Sequence, residues 1–167
     1  LTRTREAIEA RDALGFSLRL GHNISHGGPP ASQLFRLPQL RMIGDGLIEW
    51  DWPDAGEPRG WGYPLELSSS LYATETIRAL TAGQIYANPN QLEALLASNP
   101  PADKATMVCY RHSVAFSSPW NAVQQAQAWS AGQTSERFAR WFAEGLRFDA
   151  ERYHGYEVTA YHTVPPI

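Results

Sequence analysis

Thr106-Met107-Val108-Cys109-Tyr110-Arg111-His112-Ser113-Val114-Ala115-Phe116 is apolar and β-prone, and its reading as a central strand decides the fold. Helical patterns flank it on both sides. Upstream, Asn90 is the expected cap of a helix, with Glu93 as its capping partner three residues on. Leu92, Leu95 and Leu96 give that helix an apolar face, and Pro100-Pro101 stops it. Downstream, Ser118 followed by Pro119 predicts a helix that runs to about Trp129 and is ended by Gly132. Thr134 starts another, whose Phe138, Trp141, Phe142 and Leu146 fall at i, i+3, i+4 and i+8. Tyr156 to Val164 reads as the last strand, closed by Pro165-Pro166.

Toward the N-terminus the signals alternate less cleanly. Residues 1–14 carry mixed charge around Ile8 and Leu14, which predicts a short helix. Phe16-Ser17-Leu18-Arg19-Leu20 has the period of two expected of a strand. Gly21 to Pro30 reads as a turn-rich loop holding two histidines, and residues 31–43 as a short helix interrupted at Pro38. Leu47-Ile48-Glu49-Trp50-Asp51-Trp52 is a second strand, followed by a long connection rich in proline, glycine and aspartate. Residues 71–87 read as a helix after a short extended entry. Helices and strands do not alternate regularly enough for a parallel doubly wound sheet. The expected fold is therefore α+β, a single domain over 1–167 with a mixed or antiparallel sheet and several flanking helices.

Composition agrees with a soluble, globular chain. Its 167 residues are 43% apolar and 19% charged, enough apolar content for a core and too much for a disordered segment. The net charge of −3 and the single lysine, Lys104, argue against a broad nucleic-acid footprint. Cys109 is the only cysteine, which excludes an intrachain disulfide and a multi-cysteine zinc site. No stretch reaches the about 20 apolar residues of a membrane span, and nothing resembles a signal peptide. Leu1 in place of a methionine reads as a processed, truncated or excised piece. Mild acidity and the lack of a targeting signal point to a cytoplasmic site, with a secreted effector as the alternative.

Five histidines raise the question of metal. His22 and His26 are four apart, but they lie in a loop, and no glutamate follows His22 as a zinc protease needs. His112, His154 and His162 give no compact ligand spacing, so no metal site is expected. There is no Gly-x-Ser-x-Gly elbow, no phosphate loop and no dinucleotide glycine fingerprint. Metal-free ribonuclease chemistry needs an acid, a base and a cation. His22 or His26, with His112 or His154 and Arg19 or Arg111, supplies those groups, although His112 and His162 each sit one position from a His-x-Ser/Thr pattern.

Three separated segments suggest a different chemistry. His22 and His26-Gly27 follow the first strand, Leu71-Tyr72-Ala73-Thr74 precedes a helix, and Tyr156-Glu157-Val158 opens the last strand. Together they resemble the ADP-ribosyltransferase superfamily, especially its His-Tyr-Glu branch. The resemblance implies NAD as substrate, with His22 or His26 on the ribose, Tyr72 stacked on nicotinamide and Glu157 catalytic. A carboxylate there would stabilise the oxocarbenium-like state formed as the nicotinamide bond breaks. An arginine-serine-glutamate version of the same site would use Arg19, Ser69 or Ser70, and Glu157. From a different class comes a non-enzymatic binding protein of immunity or accessory type. Its contact surface is expected in the Trp50–Trp61 region, because aromatic residues are enriched at binding hot spots.

Overall fold

The computed structural model describes residues 2–28, 31–56, 59–118 and 134–164. In chain order the elements are α1 (Thr2–Ala10), β1 (Gly15–Ser17), β2 (His26–Gly28), β3 (Ala31–Leu34), β4 (Arg41–Gly44), β5 (Leu47–Asp51), β6 (Ser70–Tyr72), α2 (Thr74–Thr81), α3 (Pro89–Ser98), β7 (Thr106–Tyr110) and α4 (Ser135–Ala143). Short 3₁₀ turns occupy Trp52–Ala55, Gly60–Gly62 and Ala150–Tyr153. β7 is the middle strand of a five-stranded sheet ordered β4-β5-β7-β1-β6. β1 and β7 run parallel while the other neighbours are antiparallel, so the sheet is mixed and the fold is α+β. β2 and β3 form a separate two-stranded ribbon.

Both faces of the sheet are covered, which is why β7 reads as an unbroken apolar run rather than an alternating one. Phe16, Leu47 and Val108 point to one face and pack with Ala7 and Ala13. Leu14, Ile48, Trp50, Met107 and Cys109 point to the other, where Ile77 and Leu80 of α2 and Leu92, Leu95 and Leu96 of α3 meet them. Cys109 is wholly buried there, and burial pushes its thiol above the ordinary range. On the first face Glu49 is held by Arg11 and Arg41, and Arg41 also grips Asp51 with both terminal nitrogens.

Several expectations are corrected. Trp50 and Trp61 are core residues, 1% and 2% exposed, meeting edge to face at 4.9 Å. Trp50 Nε1 donates to the Trp61 carbonyl, and Trp52 Nε1 donates to that of Lys104. These rings pin the long connection to the sheet and form no open patch. Residues 31–43 are not helical, because Ala31–Leu34 pairs back onto His26–Gly28 and the chain emerges from Pro38 into β4. The cap of α3 is Asn88, not Asn90. Pro89 takes the first turn, and Asn88 Oδ1 accepts from the Gln91 amide.

β7 ends at Tyr110 rather than Phe116. Arg111 still donates to the Gly46 carbonyl, but the Ser113 amide turns to Asn23 Oδ1. The segment 156–164 is a strap rather than a ladder strand. Its backbone bonds divide between Ser25, His26 and Gly27 on one side and Ser117 on the other, leaving only isolated bridges. α4 does begin after a Thr134 cap. The helix expected from Ser118 to Trp129 lies outside the described residues over 119–133. Among the described residues no helix is long and apolar enough to cross a membrane.

Candidate functional site

The antiparallel register that sets Ser17 against Ser70 continues past the strand ends, where the Leu18 amide donates to the Ser69 carbonyl. This brings the run Ser68-Ser69-Ser70 alongside the exit of β1, so that Arg19 emerges beside it. The Arg19 side chain is 5% exposed. Its guanidinium lies 4.4 Å over the Tyr161 ring, and Nη1 stands 3.7 Å from Glu66 Oε2. That distance is an ion pair and not a hydrogen bond. Among the described residues no acceptor takes a hydrogen bond from Arg19, and its Nε is wholly buried without a partner.

Glu66 is the opposite case. Its carboxylate accepts from the Ser68 amide at 2.7 Å, the Ser69 amide at 3.1 Å, and the hydroxyls of Ser68, Ser69 and Ser70. Burial alone would push this acid up. The charge of Arg19 and the bonds from Ser68 and Ser70 outweigh it, so the carboxyl titrates below its ordinary value. The carboxylate is therefore saturated by the serine turn while the guanidinium opposite keeps its donors.

Other groups close the surroundings. His162 is half-buried and pulled down to about 4, by burial first and then by the Arg19 charge, with Glu66 opposing. It is neutral at pH 7. Tyr63 donates to Glu93 at 3.3 Å, and burial followed by the Glu93 charge pushes its phenol up to about 12. Ser117 Oγ, 3.4 Å from Ser68 Oγ, and the exposed Ser68 form the solvent side of the cluster.

The four residues singled out by the His-Tyr-Glu pattern sit apart from this cluster or at its margin. His22 is exposed, and its backbone amide donates to the Arg111 carbonyl. His26 is half-buried in β2, its Nδ1 3.1 Å from Ser25 Oγ. Glu157 is exposed and makes no hydrogen bond or ion pair with a described residue. The next residues fix its strand to the histidine loop: Asn23 Nδ2 donates to the Val158 carbonyl, and the Ser25 and His26 amides both donate to that of Thr159.

The histidine loop and the Glu157 segment are thus brought together. Tyr72 is not, because it faces Gly15 at the opposite end of β1. Its hydroxyl is shared between the Pro64 and Glu66 carbonyls, and its ring covers Gly15 so closely that a Cβ there would stand 2.5 Å away. Burial raises its phenol pKa.

Glu66 and His162 were missed by the sequence patterns. Glu66 had a signal, since an acid followed by serines two, three and four residues on is suited to a local side-chain-to-backbone turn. His162 had none. Among the described residues no group of three or more His, Cys, Asp or Glu side chains could hold a metal ion. No protein-family model, curated protein or solved structure matches this chain.

Proposed function

We propose that this chain is an NAD-directed transferase of the ADP-ribosyltransferase type, acting through Arg19, Ser69 or Ser70, and Glu157. Arg19 carries the proposal. A guanidinium more than nine-tenths buried normally spends its donors on protein acceptors, and this one spends none on a described residue. Its fork suits the oxygens of a pyrophosphate or a ribose bidentately. Glu66 balances its charge without consuming its donors, and the serine run holds hydroxyls beside it.

In the proposed reaction the bond between ribose C1′ and the nicotinamide nitrogen breaks, and its electron pair leaves with nicotinamide. Glu157, on the strap that fixes the loop after β1, stabilises the positive charge left on the ribose. The acceptor nucleophile then bonds to C1′ and gives up its proton to that carboxylate. The arginine-serine version is preferred to the His-Tyr-Glu one, because Arg19 keeps its donors while Tyr72 lies against Gly15 at the end of β1 away from the histidine loop.

Calorimetry with NAD and an assay of released nicotinamide test this. Saturable binding is expected in the native chain and lost in Arg19→Met. Glu157→Gln should bind NAD but release no nicotinamide. Absence of both heat and nicotinamide at millimolar NAD overturns the proposal.

A second reading, partner binding without catalysis, draws on α4. Phe142 is 65% exposed, and Leu146 and Phe148 beyond the helix are 57% and 62% exposed. No residue of α4 is buried. The ribonuclease reading loses ground, since Arg19 meets one histidine, His162, which is neutral, while His112 and His154 are exposed.

A further inference from the structure

The hydroxyls of Ser68, Ser69, Ser70 and Ser117 join the hydrogen-bond network of Glu66, and they are not equivalent. Ser69 and Ser70 are half-buried and donate to Glu66 Oε1, at 3.2 and 2.6 Å. Ser117 is half-buried and donates to Ser68 Oγ at 3.4 Å. Of the four, Ser68 is the exposed one. Its hydroxyl donates at 2.5 Å to Glu66 Oε2, the oxygen that stands 3.7 Å from Arg19 Nη1. A serine oxygen has one proton and two lone pairs. The Ser68 proton is directed at Glu66 and Ser117 takes one lone pair, so the second lone pair is left without a described donor.

The turn that presents this oxygen is braced on both sides. Glu66 accepts the Ser68 amide at 2.7 Å, and Glu93 accepts the Leu67 amide at 3.0 Å together with the Tyr63 hydroxyl. Ser117 also ties the turn to the strap, because its amide donates to the Tyr161 carbonyl and its carbonyl accepts from the Thr163 amide. The same strap carries Glu157. A sugar electrophile gripped by Arg19 therefore lies beside one solvent-facing nucleophile of the chain itself, with a carboxylate already on that nucleophile's proton.

Resting on the transferase reading above, we propose that Ser68 is the chain's own acceptor of ADP-ribose. Ser68 Oγ bonds to ribose C1′ as the bond from C1′ to the nicotinamide nitrogen breaks, and nicotinamide leaves with that electron pair. For an outside acceptor the proton goes to Glu157; for Ser68 it goes to Glu66 Oε2 and from there to water. A general base must lie within hydrogen-bond reach of the proton it takes, and Glu66 does. An ionised carboxylate is base enough, because a hydroxyl that bonds to a cationic carbon becomes strongly acidic. Once attached, the ADP-ribose keeps its pyrophosphate beside Arg19, so a modified chain no longer takes up NAD.

The native chain is incubated with NAD, released nicotinamide is measured, and the intact protein is weighed by mass spectrometry. A gain of one ADP-ribose per chain is expected. Fragmentation that preserves the glycosidic bond should place it on Ser68. It should resist neutral hydroxylamine, which cleaves ADP-ribose linked to glutamate. The initial rate per chain should not change on dilution. Ser68→Ala should lose the modification, and Ser68→Thr, which keeps a hydroxyl, should retain it. Nicotinamide released from a chain that gains no mass overturns the self-modification and leaves the transferase standing. So does a label on another residue, a hydroxylamine-sensitive label, or modification retained in Ser68→Ala. A rate per chain that falls on dilution assigns the transfer to a second copy and overturns transfer within one chain. Absence of both nicotinamide and mass gain overturns both readings.

Discussion

Removing Glu66 should damage the protein more than removing Arg19, although the two form one ion pair. Both side chains are nearly excluded from water, 4% and 6% exposed respectively. Glu66→Ala deletes the acceptor of the serine turn and leaves a buried guanidinium with no counter-charge. An uncompensated buried charge of this kind costs about 3–5 kcal/mol. Arg19→Met deletes a group that donates to no described residue, keeps an apolar stem over Tyr161, and leaves Glu66 with its amide and hydroxyl donors. It does uncover a buried carboxylate, but one that keeps its hydrogen-bond donors, so its cost should be smaller, about 1–3 kcal/mol. Adding Arg19→Met to Glu66→Ala should then recover most of the loss, a coupling between contacting residues that a double-mutant cycle measures. Urea unfolding at pH 7, with the slopes compared across all four proteins, gives the numbers. An Arg19→Met variant as unstable as Glu66→Ala would refute the reasoning. It would mean that the guanidinium is well bonded, and the argument for a ligand on Arg19 would fall with it.

Acid should destabilise the fold in two stages. His162 is held at about 4 against 6.5 in the unfolded chain, so the unfolded state takes up the proton first as pH falls. Stability present above pH 6.5 should drop by about 1–2 kcal/mol on the way to pH 4, the partial exposure of the ring screening the rest, and His162→Gln should flatten that window in pH-dependent urea titrations. Glu66, whose folded pKa is lowered, adds a further loss at more acid pH as its carboxylate is protonated. Gly21→Ala would drive a Cβ into the Ser113 amide nitrogen, and thermal unfolding should show a cost of about 1–3 kcal/mol from the forced backbone shift. Trp50→Phe should cost more than Trp61→Phe, because the Trp50 indole N–H is bonded and that of Trp61 has no partner among the described residues. Equal losses in urea unfolding would contradict that assignment.

The central strand, the α+β class and the Thr134 cap were legible from short-range signals, while whether the sheet is mixed or antiparallel was left open until the parallel pairing of β1 with β7 decided it. β propensity marks β7, and a threonine before a periodic apolar run marks α4. Residues 31–43 misled because their structure is decided by pairing with His26–Gly28, a tertiary choice that local propensity does not encode. The strap at 156–164 misled for a related reason. Its period-two pattern is that of a strand, but its partners are two unrelated segments and not one ladder. At the candidate site the sequence named Arg19 and the serines as candidates. It could not show that Glu66 would claim the serine hydroxyls, since that depends on how the turn at 66–70 folds back. Nor could it separate Tyr72 from the histidine loop, because both flank β1 and only the register places them at opposite ends.

The solitary thiol at the middle of β7 gives the protein an internal clock for its own opening. Cys109 is sealed on a strand with neighbours on both sides, so a maleimide or disulfide reagent can reach it only when the sheet itself comes apart. With no second sulfhydryl in the chain, the labelled fraction counts opened molecules one for one. Timed alkylation read by mass spectrometry would therefore report how often the whole sheet breathes. It would do so in dilute buffer or in a crude extract, without denaturant.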